Sequence, residues 1–529
     1  MKVLVSSFIL HPLSLFSVVS SRTVSQKTVI IYNPIAYWFR QYETTLELLE
    51  RYSQRGYDVK LLACKAKLPA CMANADHNLG ICVQCQSRFA AGLKWALNGN
   101  TADQISTMGF YALDATQQQK IREIERMTFA SIAEVQKFEI DGSDIGLAAM
   151  SSAISHLREP HPDVVQHRAV IMRLLKSAAV THYSFKTLFE RNRPDEFVVF
   201  NGRFAEVRPA MRLAQKMGIG TYVFEAIQGL IEHYVLTRNS FLHDLEVMKG
   251  EMERVYAETP LSEDEQRQLA RETFRLSRIF YFEQEEKRDE SEVAKLRVRQ
   301  AGEPLRLIIF NNSEDEFEAI PGWKNPFYKN QNDGIEQLLM SFAGRDDIHI
   351  TLREHPNLKG VASSQRDFLR TLPARFANFT RIEAESKVSS YELLDQHDLV
   401  MTFGSSIGIE AAYFGKPVVL MGRAQYEDLR CCVRPAGHAA LVRWLNEYIA
   451  SNQLPPDAPT QADVKLAALK YGVFKRSYGI PYQHVKMTWK PFRYDMLRDG
   501  ALTAIEASPL AMKLSAGLLR LERLRGKSQ

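Results

Sequence analysis

The chain has 529 residues, 45% of them hydrophobic and 24% charged, with a formal net charge of +5. That length and apolar content provide for large cores in two or more domains. So small a positive excess admits anionic ligands or a membrane surface but does not call for nucleic acid, and there is no nucleic-acid-binding motif and no internal repeat.

Lys2, the apolar stretch Val3 to Val19 and Ser20-Ser21 have the outline of a signal peptide, but His11, Pro12 and several serines interrupt it. The same interruptions leave it short of a spanning helix. Residues 1–26 are therefore expected to be a dispensable extension of a cytoplasmic protein. Lys27 to Asn33 is predicted as a strand, Tyr42 to Tyr52 as a helix stopped by Gly56, and Asp58 to Ala63 as a second strand. This β-α-β opening predicts a Rossmann-like domain over 27–235.

Cys64, Cys71, Cys82 and Cys85, with His77 among them, form an insert at 64–85. Cys82-x2-Cys85 is a knuckle that places two thiolates on one metal, and Cys64 and Cys71 would complete a closed tetrahedral zinc site. Reduced core cysteines or two disulfides fit the same spacing. Four protein ligands would leave no open position, so no catalytic metal is expected. Residues 115–190 are predicted mostly helical. Strands Phe197 to Phe200 and Thr221 to Phe224 end in Asn201-Gly202-Arg203 and in Glu225. An arginine there suits an anion and a glutamate a general base.

Residues 236–303 read as a charged helical linker, with Ser262-x-x-Glu265 as a capping box. A second Rossmann-like series is expected over 304–450. Its strands end in Asn311 to Ser313, in Arg353-Glu354-His355-Pro356, and in Gly404-Ser405-Ser406. The stretch 398–422, DLVMTFGSSIGIEAAYFGKPVVLMG, reads as strand, hydroxyl-bearing turn, helix and strand, with Glu410 one turn into the helix. Together these ends offer a cation, an imidazole, hydroxyls and open N–H groups for a nucleotide phosphate. Residues 451–529 are expected as a C-terminal helical and basic segment. It contains KMTWKPFRYDMLR, and Leu514, Leu518 and Leu521 lie beside Arg520, Arg523, Arg525 and Lys527. Either a helical return across the domains or contact with anionic lipid fits it.

LREHPN followed by SYELL and DLVMTFGSSIGIEAAYFGKPVVL resembles a GT-B glycosyltransferase of the bacterial capsule polysaccharide biosynthesis type, strongly over about 305–430 and partly over 28–235. The resemblance implies an α/β, GT-B-like fold: two Rossmann-like domains facing across a cleft, with helical insertions and a C-terminal helical return. It implies a nucleotide-activated sugar in the C-terminal domain and an acceptor in the N-terminal domain. Read from the residues themselves, Arg353 and His355 would meet the donor phosphate, Gly404, Ser405 and Ser406 would cradle it, Glu410 would reach a ribose hydroxyl, and Ser313 would join the donor site. A glycan or lipid-linked acceptor would meet Asn201 and Arg203, with Glu225 as the base. Related transferases carry paired acidic residues before a glycine as their base motif, and this sequence has no convincing copy. A sugar-nucleotide 2-epimerase and a non-catalytic polysaccharide assembly protein are the alternatives. The expected location is cytoplasmic, with peripheral contact on the inner membrane.

Overall fold

The computed structural model describes residues 26–226, 232–281, 299–488 and 493–526. All of the expected N-terminal extension but its last residue lies outside them.

The first domain is built on β1 (Thr28–Tyr32), β2 (Asp58–Ala63), β3 (Ile105–Gly109), β4 (Glu196–Phe200), β5 (Gly220–Ala226) and β6 (His233–Arg238). The order β6-β5-β4-β1-β2-β3 is parallel through β5, and β6 closes one side antiparallel. Val29, Ile30, Ile31 and Tyr32 are all fully buried. A strand covered on both faces reads as this kind of continuous apolar run. β1 leads to β2 on one side and pairs with β4 on the other. The strand order therefore reverses between β1 and β4, beside Asn33 and Asn201.

The second domain carries β7 (Leu305–Phe310), β8 (Ile348–Arg353), β9 (Phe379–Ile382), β10 (Leu399–Thr402) and β11 (Val418–Leu420), all parallel in the order β11-β10-β7-β8-β9. Its reversal falls between β7 and β10. Ligands of open parallel sheets bind at such a point, outside the carboxyl ends of the strands.

The stretch expected as a linker is not one. Helices Leu245–Glu258 and Glu263–Tyr281 send Met248, Met252, Ala270 and Phe274 into the apolar cluster that holds Ile308, Phe310 and Val400. Phe274 stacks on Tyr413 at 4.2 Å between ring centroids. Helix Gln461–Ser477 crosses them so closely that a Cβ on Gly472 would lie 2.5 Å from the Cα of Ala270. This face of the second domain thus comes from three helices that lie outside 304–450.

The last segment returns to the first domain, and it does so partly as strand. β12 (Ile480–Pro481) pairs antiparallel with β6, and β13 (Val485–Thr488), β14 (Arg493–Arg498) and β15 (Ala501–Ala504) form a meander. The basic-aromatic stretch is therefore two strands of a hairpin, whose residues 489–492 lie outside the described ones. Helix Pro509–Gly526 then packs along helix Leu79–Leu97. Among the described residues, no helix is long and apolar enough to cross a membrane.

Candidate functional site

At the reversal point of the second sheet lies a cavity of about 210 Å³. Asn312, at the end of β7, and Phe403, at the end of β10, form its floor. Phe317, Trp323 and Tyr328 supply apolar wall, and Lys324, Lys329 and Arg423 supply cations. Phe317 and Trp323 stack at 4.4 Å. The three expected strand ends lie against one another beside this cavity, and of their residues Asn312 alone lines it. The backbone N–H of His355 donates to Asn311 Oδ1 at 2.9 Å. Gly404, at φ 138°, comes so close to its neighbours that a Cβ would lie 2.2 Å from the Arg423 carbonyl oxygen and 3.1 Å from Asn312 Nδ2. Among the described residues, Asn311 Nδ2 and Asn312 Oδ1 are buried with no hydrogen-bond partner. Buried polar atoms in that state mark a place where an incoming group can be bound.

His355 is half-buried, and its Nδ1 accepts the Asn357 N–H at 3.2 Å. The accepting nitrogen carries no proton, so Nε2 is the N–H of the neutral ring. Burial pushes the imidazole down to about 4, with Asp315 opposing and Arg158 and Arg353 assisting. At neutral pH it is therefore a neutral N–H donor. Glu314 also lines the cavity, and burial pushes its carboxyl up to about 7. Its Oε1 accepts the Gln331 N–H at 2.9 Å. Burial raises Glu318 as well.

Other expected donor residues are turned elsewhere. Thr402 Oγ1 accepts the N–H groups of Gly404 (3.2 Å) and Ser405 (3.0 Å), so the turn does not hold those two N–H groups open. Ser406 begins the helix Ile407–Tyr413 without a side-chain cap, and Ser405 and Ser406 stay at the surface of the turn. Arg353 is buried, and its guanidinium donates to the carbonyls of Glu383 and Ser386, bracing the loop after β9. Glu410 is buried and accepts the Tyr391 hydroxyl. Ser313 Oγ donates to Asp315 and accepts from Arg158.

That last contact belongs to a clasp between the domains. Arg158, from the first domain, donates to Asp315 Oδ2 at 2.6 Å, to Ser313 Oγ at 3.1 Å and to the Asn357 carbonyl at 3.1 Å. Arg203 reaches across to the Glu316 carbonyl at 3.1 Å. Asn201, at φ 59°, donates from Nδ2 to Glu225 Oε2 at 3.1 Å. Glu225 also lies 3.6 Å from His243 Nε2, and the His243 carbonyl accepts the indole N–H of Trp323 at 2.7 Å. The expected base is thus connected through His243 to the wall of the donor-side cavity. The backbone N–H of Arg203 donates to Asn201 Oδ1 at 3.3 Å, so Asn201 adjoins both Arg203 and Glu225.

Asn312, Glu314, Lys324, Lys329 and Arg423 were not among the expected site residues. Asn312 lies in the strand end Asn311 to Ser313 that the sequence singles out, and Glu314 directly follows it. The other three are ordinary loop charges until the chain folds.

The four insert cysteines share one region of the first domain. Burial raises the thiols of Cys64, Cys71, Cys82 and Cys85, and each is also raised by charge on a neighbouring cysteine or, for Cys82, on Glu522. All four are free thiols. Among the described residues, no three His, Cys, Asp or Glu side chains are placed to hold a metal ion. The Cys82 sulfur accepts the Asn74 side-chain N–H at 3.3 Å, and His77 Nδ1 faces the Pro69 carbonyl at 2.6 Å.

Residues 323–429, which span much of this cavity wall and the Gly404 turn, match the family model described as capsule polysaccharide biosynthesis protein. No curated protein matches the chain. Among solved structures, the beta Kdo 2,7 transferase of Thermosulfurimonas dismutans KpsC is similar at 14% identity, over 64% of this chain and 89% of that one, with a TM-score of 0.31. The beta Kdo 2,4 transferase of the same KpsC gives 11%, 61%, 87% and 0.32. The UDP-GlcNAc 2-epimerase of Neisseria meningitidis, bound to UDP-GlcNAc, gives 12%, 84%, 94% and 0.25. Scores at this level decide nothing about the site or the reaction.

Proposed function

We propose, from a second domain that carries a capsule polysaccharide biosynthesis segment, that this chain is a GT-B-type glycosyltransferase of capsule or surface polysaccharide synthesis. Its donor is a nucleotide-activated sugar and its acceptor a glycan or a lipid-linked glycan. The observation that carries the reading is the cavity at the strand-order reversal of the second sheet, inside that segment. Lys324, Lys329 and Arg423 suit the phosphate of a nucleotide sugar. Raised carboxyls at Glu314 and Glu318 lessen the repulsion that two ionised acids would impose on it.

In the transfer, the bond between the anomeric carbon and the donor phosphate oxygen breaks, and its electron pair stays on phosphate. The acceptor hydroxyl oxygen forms the new bond and loses its proton. The Nε2–H of His355 and the hydroxyls of Ser405 and Ser406 would stabilise the departing phosphate. Glu225, held by Asn201 beside His243, would take the acceptor proton. A cytoplasmic location belongs to the same proposal, and thiols that are all free support it.

The test is a thermal-shift screen of nucleoside mono- and diphosphates, followed by donor sugars with and without glycan acceptors. Sugar appearing on the acceptor supports the reading. Isomerised nucleotide sugar without acceptor means an epimerase, and no nucleotide binding at all sinks both.

A structural zinc on Cys64, Cys71, Cys82 and Cys85 is a separate proposal. Its support is the sequence spacing and the shared burial. As they stand the side chains do not form a coordination shell, so each sulfur would have to turn inward and lose its proton. Elemental analysis finding about one zinc per chain supports it, and a metal-free folded chain ends it.

A further inference from the structure

Helix Pro509–Gly526 packs on the first domain with a mixed side, on which Leu518 and Leu519 are half-buried beside Ser515 and Glu522. Ser515 is fully buried, and its hydroxyl accepts from Gln84 Nε2 at 2.7 Å. Glu522 accepts the side-chain amide of Asn78 and, at 3.4 Å, the Leu79 N–H. Leu519 covers Gly80 so tightly that a Cβ there would lie 2.9 Å from it. The apolar side faces outward. Leu510, Leu514 and Leu521 are 77%, 54% and 58% exposed, and Met512 is 46% exposed. Leu510, Leu514, Gly517 and Leu521 follow one another at four, three and four residues, which puts them on one face. A helix on a water-facing surface normally turns such a strip inward. Leu79, half exposed, extends the apolar strip at the Glu522 end.

Lys513 and Arg520 are exposed beside this strip. In sequence, residues 509–529 carry five Lys or Arg against one Glu, an excess of four on a chain whose total is five. Almost all of the net positive charge of the protein therefore sits on the segment that shows its leucines to solvent. No helix among the described residues is long and apolar enough to span a bilayer, so the arrangement suits one that lies on it.

We propose that the outward face of helix Pro509–Gly526 docks the protein on an anionic lipid surface, with the leucines entering the acyl boundary and the basic side chains meeting the headgroup phosphates. The proposal is independent of the donor chemistry, because no residue of this face belongs to the cavity.

The test is flotation of the full chain with vesicles of phosphatidylcholine alone and of phosphatidylcholine with about 30% phosphatidylglycerol. Binding to the anionic vesicles, weakened by salt, is expected. Leu514→Asp with Leu521→Asp should lower that binding about tenfold or more. The melting temperature should hold, because both side chains are already in water. Lys513→Gln and Arg520→Gln should each lower binding about fivefold, and only on the anionic vesicles. Failure of the native chain to bind, or undiminished binding by both sets of variants, overturns the proposal. A native dimer that the double leucine variant converts to monomer also overturns it, by giving this face to a second copy of the chain. Nucleotide affinity measured on the same variants should not change, so a failure here leaves the donor reading standing.

Discussion

His355 is where the site's chemistry is most exposed to a single substitution. In the proposed transfer, His355→Ala would remove an N–H donor to the departing phosphate, worth about 1.5–3 kcal/mol, or roughly 10- to 100-fold in rate. Nucleotide affinity by calorimetry should weaken in parallel while the melting temperature stays close to native. Its pH behaviour has a definite sign. Burial holds the folded imidazole near 4 against an ordinary 6.5, so the unfolded chain takes up the proton first as pH falls. The stability contribution is full above about 6.5 and is lost on the way down to about 4. Glu206 has the opposite sign. It is fully buried, Oε1 accepts the Met72 N–H at 3.1 Å, Oε2 has no hydrogen-bond partner among the described residues, and burial pushes its carboxyl from 4.5 up to about 7. The folded chain keeps the proton longer, so stability falls as pH rises from about 4.5 to about 7. Glu206→Gln keeps an acceptor for Met72 and should flatten that slope, leaving the variant more stable at pH 8 by up to about 3 kcal/mol. Chemical denaturation at several pH values measures both effects. His355 and Gly404 were legible because a His-Pro at one strand end and a Gly-Ser-Ser at the next form a pattern. Arg353 and Glu410 misled because residue type says nothing about direction. The first turns to two carbonyls of the neighbouring loop, and the second turns inward to Tyr391.

The elements easiest to read were those whose ends are marked by local chemistry. Ser262 and Glu265 do form their box, with Ser262 N–H on Glu265 Oε2 at 2.8 Å and Glu265 N–H on Ser262 Oγ at 3.4 Å. Ser262→Ala should cost roughly 1 kcal/mol of stability, seen as a lower denaturation midpoint, with transfer unaffected. The strand-turn-helix-strand unit at 398–422 was equally plain, since Gly404 and Gly415 punctuate short apolar runs. β3 was missed because ISTMG, with exposed Ser106 and Thr107, lies on the outer edge of its sheet and lacks a buried run. β13 to β15 were missed for a similar reason, being short strands without a long buried run. The helices at 245–281 were found, but their role was not. Their apolar residues read as an isolated stripe, and only the arrival of helix Gln461–Ser477 from late in the chain shows what the stripe covers. Pairings over about 200 residues leave no local trace in the sequence.

At the scale of the whole molecule, the two-sheet architecture was legible because parallel strands alternate with helices in both halves. The domain limits were not, because the chain crosses between the halves more than once. β12 and the residues after it complete the first domain. Tyr482 bonds Thr44 through its hydroxyl at 2.6 Å and lies over Tyr234, with 5.2 Å between ring centroids. The backbone N–H groups of Gln483 and His484 donate to Glu47 at 2.9 and 2.6 Å, and Arg498 pairs with Glu50. Glu47 and Glu50 are both buried acids of the first helix. A chain ending at residue 479 should therefore lose the folded state of its first domain, not only its tail, because buried Glu50 loses Arg498 and buried Glu47 loses two N–H donors and is left with Arg51. Limited proteolysis should cut within residues 28–238 in that truncation and spare them in the full chain. There is also a consequence in time. β6 leaves the ribosome roughly 240 residues before β12, which at about 5–20 residues per second keeps its outer edge open for roughly 12–50 s. The half of the protein made first is the half finished last, and throughout that interval an unpaired strand edge is offered to every other nascent chain nearby.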